Sequence, residues 1–122
     1  MTEKFSFSNI TTEILDRDKD NDIIYRIVEM LKKTYRKRVV RIILFDSHRD
    51  DRDETWTGVD IMVFLTGMKD RWEETKKITS LVMNTSLEFG ISVRIIPFDS
   101  SLADIKLMPR FLEQVLQKGV DL

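Results

Sequence analysis

Two short runs of apolar, β-branched residues constrain what this chain can fold into more than any other feature. They cover residues 39–45 (VVRIILF) and 59–66 (VDIMVFLT), and a third run, ISVRIIPF, covers residues 91–98. Runs of this length and composition are typical of strands buried in a sheet. The sequence therefore predicts three main strands, with Pro97 marking either the end of the third strand or an edge of the sheet.

Helical periodicity precedes the first strand, separates the second from the third, and returns at the end of the chain. Apolar residues recur at helical spacing within residues 8–38 and again within residues 70–89, before the helix-terminating Gly90. The first set is Ile23, Ile24, Ile27, Leu31 and Tyr35, and the second is Ile78, Leu81, Val82, Thr85 and Phe89. A short last helix is predicted between Pro109 and Gly119.

The order helix, strand, strand, helix, strand, helix predicts an α/β (α+β) fold, in which helices flank a small mixed sheet of three to four strands. The length of 122 residues corresponds to a single domain over residues 1–122, and a hydrophobic fraction of 42% is sufficient for a buried core. No apolar stretch approaches the roughly 20 residues of a membrane span. The first ten residues also lack the apolar centre of a signal peptide, so we expect a cytoplasmic protein without a membrane partner.

Charge and cysteine content exclude several classes of function. The chain contains 20 Lys and Arg against 21 Asp and Glu, and the resulting net charge of −1 argues against nucleic acid as a partner. It contains no cysteine and a single histidine, His48, which excludes thiolate catalysis and argues against a His-rich metal centre. The basic run KKTYRKRVVR at residues 32–41 suits the binding of RNA or phosphate. We favour the interpretation that it is a solvated helix end, whose positive charges complement the helix dipole.

The polar stretch between the first two strands, DSHRDDRDETWTG at residues 46–58, is predicted to be a loop. Its 13 residues exceed what a connection between two strands requires, and long loops on rigid scaffolds often carry function. His48 is interpreted as a surface loop histidine, and Trp72 in the following helix as a packing residue. Trp56 has two equally supported interpretations, an exposed indole that contacts a base or a protein partner, or a ring packed over the sheet edge.

The stretch LFDSHRDDRDETWTGVDIMVFL at residues 44–65 resembles the signature of minimal nucleotidyltransferases of the DNA polymerase beta superfamily. In that family an apolar strand is followed by Gly-Ser, a polar segment, and Asp-x-Asp inside a second apolar strand. Ser47 stands at the family serine, and Gly58 to Asp60 stand at Asp-x-Asp. The end of the chain, with LEFGISVRIIPF and MPRFLEQVLQKGVDL, is similar to that of small prokaryotic members, so the resemblance covers about residues 20–120.

The resemblance implies a nucleotidyltransferase-like fold and, in active members, transfer of AMP from Mg-ATP. This chemistry uses two Mg²⁺ ions, which require converging oxygen ligands. Asp-x-Asp places two carboxylates on one face of a strand, and Gly-Ser begins a helix whose N–H groups and serine hydroxyl hold phosphates. The resemblance therefore implies nucleotide-binding roles for Ser47 and Asp60, and a metal-ligating role for Asp60.

Three positions depart from the family pattern. Gly58 removes the first carboxylate of Asp-x-Asp, Asp46 replaces the glycine beside Ser47, and the third strand offers Arg94 instead of a carboxylate. A charge on Asp46 disfavours a bound triphosphate, because two like charges about 4 Å apart repel by about 4 kcal/mol at an effective dielectric near 20. The degenerate motif of Asp46, Ser47, Gly58 and Asp60 therefore assigns no catalytic residue.

Two interpretations of the acidic residues stay open at this point. Asp46 and Asp60 lie at the edges of adjacent predicted strands and, with the loop acids, would suit a rearranged cation site. We favour the alternative, in which the loop is a solvated acidic segment partly paired with Arg49 and Arg52. The loop acids are Asp50, Asp51, Asp53 and Glu54.

Three functions follow from these observations. The leading hypothesis is a catalytically degenerate nucleotidyltransferase-like pseudoenzyme without a cofactor, acting as a binding or regulatory, antitoxin-like module. The resemblance to small prokaryotic members implies a HEPN-type RNase as its protein partner. The second is an active minimal nucleotidyltransferase that transfers AMP from Mg-ATP to a protein or another acceptor. The third is a homo-oligomeric structural protein, such as a homodimer.

Overall fold

Three helices and a four-stranded mixed sheet make up the described part of the molecule. The structure, a computed structural model, describes residues 18–52, 56–101 and 110–122. Its elements are α1 (Asp18–Tyr35), a 3-10 turn (Arg36–Arg38), β1 (Val39–Arg49), β2 (Trp56–Leu65), α2 (Arg71–Phe89), β3 (Ser92–Asp99), α3 (Arg110–Lys118) and β4 (Val120–Asp121). This order confirms the predicted α+β arrangement and adds a short fourth strand. The helical prediction for residues 8–17 and Pro109 lie outside the described residues.

The strands are arranged in the order β3-β2-β1-β4. β1 runs antiparallel to both β2 and β4, whereas β2 and β3 are parallel and are connected through α2. Pro97 lies in β3, where it is aligned with Val63 of β2. β3 is at the edge of the sheet, so the prediction that Pro97 marks an edge is confirmed.

The predicted loop over residues 46–58 is wrong at both ends. β1 continues to Arg49 and β2 already begins at Trp56, which leaves only residues 50–55 between the strands. Within the extension, Ser47 is paired with Val59 and His48 with Gly58. Polar side chains do not oppose this pairing, because a strand is held by its backbone hydrogen bonds and exposes alternate side chains. The polar residues therefore lie on a rigid strand.

The larger part of the core lies between the sheet and helices α1 and α2. The apolar residues predicted at helical spacing in α1 are all buried, and in α2 Ile78, Val82 and Thr85 are buried. They face the sheet residues Ile42, Leu44, Val59, Ile61, Val63 and Leu65. Full burial of one such aliphatic side chain stabilises the fold by about 1.5–3 kcal/mol. No described helix is both long enough and apolar enough to span a membrane.

Both ends of α2 are fixed by residues whose chemistry suits a helix terminus. Asp70 precedes the helix, and its Oδ1 accepts hydrogen bonds from the backbone N–H of Trp72 at 2.9 Å and of Glu73 at 3.3 Å. Gly90 follows the helix with φ of 66° in the left-handed region, which confirms the prediction that it terminates the helix. The helix therefore delivers the chain to the start of β3 at a defined position.

α3 covers one end of the opposite sheet face. Leu112 and Val115 pack against Ile43, Met62 and Phe64 in a second, smaller core. At the end of the helix, Gly119 allows its backbone to lie close to the side chain of Ile43, since a Cβ at this position would lie 2.1 Å from Ile43 Cγ2. This contact allows the chain to turn directly into β4 beside β1. The other end of the same sheet face carries charged side chains.

Candidate functional site

A β-bulge in β1 determines which side chains lie on the sheet face that α3 partly covers. Leu44 is paired with Ile61 and Asp46 with Asp60, so Phe45 is an extra residue in β1. One extra residue in a strand reverses the face on which all later side chains lie. Asp46 and His48 therefore lie on the same face as Asp60, and they would face α1 and α2 without the bulge.

Three potential ligand groups meet on this face. The Nε2 atom of His48 lies 3.3 Å from Oδ2 of Asp60 and 4.0 Å from Oδ2 of Asp46. One ligand atom from each residue can be chosen such that all three lie within 4.8 Å of one another. The Asp60 side chain is only 11% exposed, whereas about half of His48 is exposed. The structure thus brings together Asp46 and Asp60, two of the residues singled out in the sequence, and adds His48.

Arg94 of β3 completes the cluster from the other side. It is aligned with Asp60 in the parallel pairing of β2 and β3. Its Nε donates to Asp60 Oδ1 and its Nη2 to Asp60 Oδ2, both at 3.2 Å. Two-pronged contacts of this kind fix the orientation of a carboxylate as well as neutralising it. The Asp60 carboxylate is thus bound on one side by the guanidinium of Arg94.

Gly58 provides the space for the His48 ring. The two residues are partners across β1 and β2, and a Cβ at position 58 would lie 3.4 Å from His48 Cδ2. The same Cβ would lie 3.3 Å from the carbonyl oxygen of Ser92 in β3. A Cβ at position 58 would therefore touch the imidazole at van der Waals distance and would come slightly closer to the Ser92 carbonyl oxygen.

Ser47 does not occupy the position that the family serine has at the start of a helix. β1 continues through Ser47 to Arg49, and Ser47 is paired with Val59, a residue of the larger core. Its backbone N–H donates to Oδ1 of Asp46 at 2.8 Å. The helix N-terminus that would hold phosphates is thus not formed at this residue. The nucleotide-binding role of Ser47 stays a prediction.

The two tryptophans lie in environments that the sequence did not determine. A second bulge, at Thr57, turns Trp56 to the face of α1 and α2, where it is only 3% exposed. Of the two interpretations of Trp56, the structure therefore shows the packed ring, with the Arg49 guanidinium 5.1 Å from its centroid. Trp72 is 67% exposed in the first turn of α2, so its interpretation as a packing residue is wrong.

The basic run ends in ion pairs that hold the fold together. Arg38 contacts Glu74 of α2 at 3.3 Å, and Arg41 contacts Asp121 of β4 through two hydrogen bonds of 2.6 and 3.0 Å. Glu74 also accepts a hydrogen bond of 2.8 Å from the hydroxyl of Tyr35. Burial, together with this bond, raises the pKa of Tyr35, so its phenol stays a donor at neutral pH. Within the run, Lys32 and Lys33 lie in the last turn of α1, as the interpretation as a helix end requires, whereas Arg38 and Arg41 lie beyond the helix and form ion pairs.

The loop acids are only partly described, since Asp53 and Glu54 lie outside the described residues. Asp50 accepts a hydrogen bond of 2.8 Å from the backbone N–H of Arg52, and the Arg52 side chain lies 3.5 Å away. This pairing is local and agrees with a solvated acidic turn.

Sequence reasoning missed two members of the cluster, His48 and Arg94. Alternation places Asp46 and His48, two residues apart, on one face once β1 is known to reach Arg49, whereas Arg94 reaches Asp60 only through the register of β3 on β2. Had the first strand been predicted to reach residue 49, Asp46 and His48 would have been recognised as neighbours. Comparison of the chain with protein-family models, with curated proteins and with solved structures finds no match.

Proposed function

We propose that this chain is a nucleotidyltransferase-like protein that does not transfer nucleotides and that acts by binding a protein partner. The two-pronged ion pair between Arg94 and Asp60 is the observation that supports the absence of nucleotide transfer. Two Mg²⁺ ions need several converging carboxylates to offset their charge. Here the only clear survivor of the family ligands is already neutralised by a guanidinium.

The backbone around Ser47 supports the same conclusion. Phosphate binding at a helix N-terminus depends on backbone N–H groups that have no partner within the helix. In this chain Ser47 lies within the paired part of β1, and its N–H donates to Asp46. The side chain of Asp46 also adds a negative charge beside the place where a triphosphate would bind. A nucleotide would therefore meet neither the metal ions nor the amides that hold it in the family.

The second half of the proposal is supported by apolar side chains on the outer surface of α2. Trp72, Met83 and Leu87, here called the α2 row, are 67%, 57% and 76% exposed. At 3.6 residues per turn their directions fall within about 60° of one another around the helix axis. Met83 and Leu87 are neighbours one turn apart, whereas exposed Lys76 and Thr79 lie between them and Trp72 on the same side of the helix. Exposed apolar neighbours on a helix suit contact with a protein partner. In line with the resemblance, the partner proposed is a helical RNase of the HEPN type.

Two measurements test the two halves separately. For the first half, the protein is incubated with labelled ATP and Mg²⁺, alone and with the candidate partner, and transfer of AMP to either protein is followed. We expect no labelled product, and labelling of either protein would contradict the loss of catalysis.

For the binding of a partner, the protein is co-expressed with a candidate helical RNase of the HEPN type and co-purified with it. Leu87→Asp is expected to lower the recovery of the complex, whereas Tyr25→Asp, at an equally exposed apolar residue of α1, is the matched control. Equal loss in both variants, or no complex with the wild-type protein, would contradict the proposed surface. A wild-type dimer in sedimentation that Leu87→Asp dissociates would favour the homodimer instead.

A further inference from the structure

We propose that Asp46, His48 and Asp60 form a binding site for one divalent metal ion of the zinc class. This site differs from the two-magnesium arrangement that the resemblance implies, because one of its three ligands is an imidazole. The proposal does not depend on the proposed function, since it concerns binding of a metal ion without a nucleotide.

The distances between the ligand atoms suit a single ion. Bonds of about 2.0–2.1 Å to zinc place neighbouring ligands of a tetrahedral site about 3.3 Å apart, and opposite ligands of an octahedral site about 4.1 Å apart. His48 Nε2 lies 3.3 Å from Asp60 Oδ2 and 4.0 Å from Asp46 Oδ2. The first separation matches neighbouring ligands of a tetrahedral site, the second is about 0.7 Å longer, and all three ligand atoms lie within 4.8 Å of one another, so the side chain of Asp46 must move closer for all three to bind one ion.

The chemistry of the donors selects the class of ion. Mg²⁺ and Ca²⁺ prefer oxygen ligands alone, whereas a site with imidazole and carboxylate ligands suits Zn²⁺ and its neighbours in the first transition row. His48 is the only histidine of the chain, and the chain contains no cysteine. Zinc bound through a nitrogen side chain must therefore be bound at His48.

The packing at Gly58 is an independent observation that supports the site. Gly58 lacks the side chain that would approach His48 Cδ2 to 3.4 Å, and the imidazole lies over this position. Glycine at position 58 thus leaves room beside the imidazole of His48, whose Nε2 approaches both Asp60 and Asp46.

Each carboxylate is also held by a donor outside the ligand set. Oδ1 of Asp46 accepts from the Ser47 N–H, and Oδ1 of Asp60 accepts from Arg94 Nε, while Oδ2 of each residue faces His48. Arg94 Nη2 additionally donates to Oδ2 of Asp60. Outer hydrogen bonds of this kind orient metal-binding carboxylates in proteins. Because Arg94 Nη2 contacts the same Oδ2 atom that would bind the ion, the guanidinium must release this atom and keep only its contact with Oδ1 when zinc binds.

The test is a calorimetric titration of the full chain, purified without a histidine tag, with ZnCl₂. We expect one Zn²⁺ per chain, and His48→Gln and Asp60→Asn should each weaken binding by at least about tenfold. Asp121→Asn, which removes an ion-paired carboxylate remote from the site, should leave the affinity unchanged. Gly58→Ala should weaken binding although it removes no ligand. Co²⁺ replaces Zn²⁺ as a spectroscopic probe, and its visible absorption should change when it binds the wild-type protein but not His48→Gln.

Three results would contradict the proposed zinc site. The wild-type protein would not bind Zn²⁺, His48→Gln would bind Zn²⁺ as tightly as the wild-type protein, or Mg²⁺ at the same concentration would displace half of the bound Zn²⁺. Thermal melting of each variant shows whether it is folded, and His48→Gln alters a half-exposed side chain outside the core. Because the titration contains no nucleotide, its failure leaves the proposed function standing. Conversely, AMP transfer from Mg-ATP would contradict the proposed function without testing the zinc site.

Discussion

The ion pair between Arg94 and Asp60 can be measured as a coupling energy. The Asp60 side chain is 11% exposed and that of Arg94 is 62% exposed. A pair of fully exposed charges contributes about 0.2–1 kcal/mol, whereas removing one partner of a fully buried pair costs about 3–5 kcal/mol. One buried and one exposed partner place this pair between those limits. The two contacts of 3.2 Å are at the long end of normal hydrogen bonds, so we expect a coupling of about 1–2 kcal/mol.

The assay is a double-mutant cycle with Arg94→Met, Asp60→Asn and the double variant. Urea unfolding at pH 7 is followed by fluorescence, in which the buried Trp56 reports loss of the core. Arg52→Met, at an arginine side chain that is 92% exposed, is the control and should change stability by less than about 0.5 kcal/mol. A coupling below about 0.5 kcal/mol would refute the reasoning, because Arg94 would then bind Asp60 no more tightly than a surface partner.

Three further predictions concern the fold that positions the site. Gly119→Ala should destabilise the protein by about 2 kcal/mol or more, since its Cβ would lie 2.1 Å from Ile43 Cγ2; an unchanged melting temperature would contradict this contact. Gly90→Ala should cost about 1–2 kcal/mol through its positive φ alone, and Gly90→Asn should cost less; equal urea midpoints for both variants would be inconsistent with backbone strain. The hydrogen bond from Arg41 lowers the pKa of Asp121, so this carboxyl stabilises the fold above its unfolded pKa. That contribution is lost as the pH falls through the lower folded value, and Asp121→Asn should remove less than about 1 kcal/mol of acid-dependent stability in urea titrations from pH 2 to 7.

Local sequence was sufficient to predict the helices and the centres of the strands. The spacing of Ile23, Ile27 and Leu31 identified the buried side of α1, and Gly90 marked the end of α2 because few other residues adopt its backbone conformation. These features depend on residues close together in the chain. The ends of the strands depend on pairing with distant residues, so local sequence predicts a loop for the polar segment from Asp46 to Arg49, which the structure shows as strand.

The site was only partly predictable for the same reason. Convergence of Asp46 and Asp60 was one of two interpretations, and the structure places them as partners across β1 and β2. The bulge at Phe45, which directs Asp46 and His48 to one face, has no signature in the composition of the strand. The alignment of Arg94 with Asp60 is set by how α2 returns the chain to β3, which is a property of the whole fold. Periodicity alone could therefore not find the ion pair.

The proposed absence of nucleotide transfer requires that Mg-ATP is not held at this face, and a calorimetric titration of the wild-type protein with Mg-ATP tests this requirement most directly. The ion pair at Asp60 and the strand through Ser47 predict that no binding is detected below millimolar nucleotide. Saturable binding at micromolar Mg-ATP would contradict the claim, because it would show that metal ions and phosphates displace Arg94 and are held at this face.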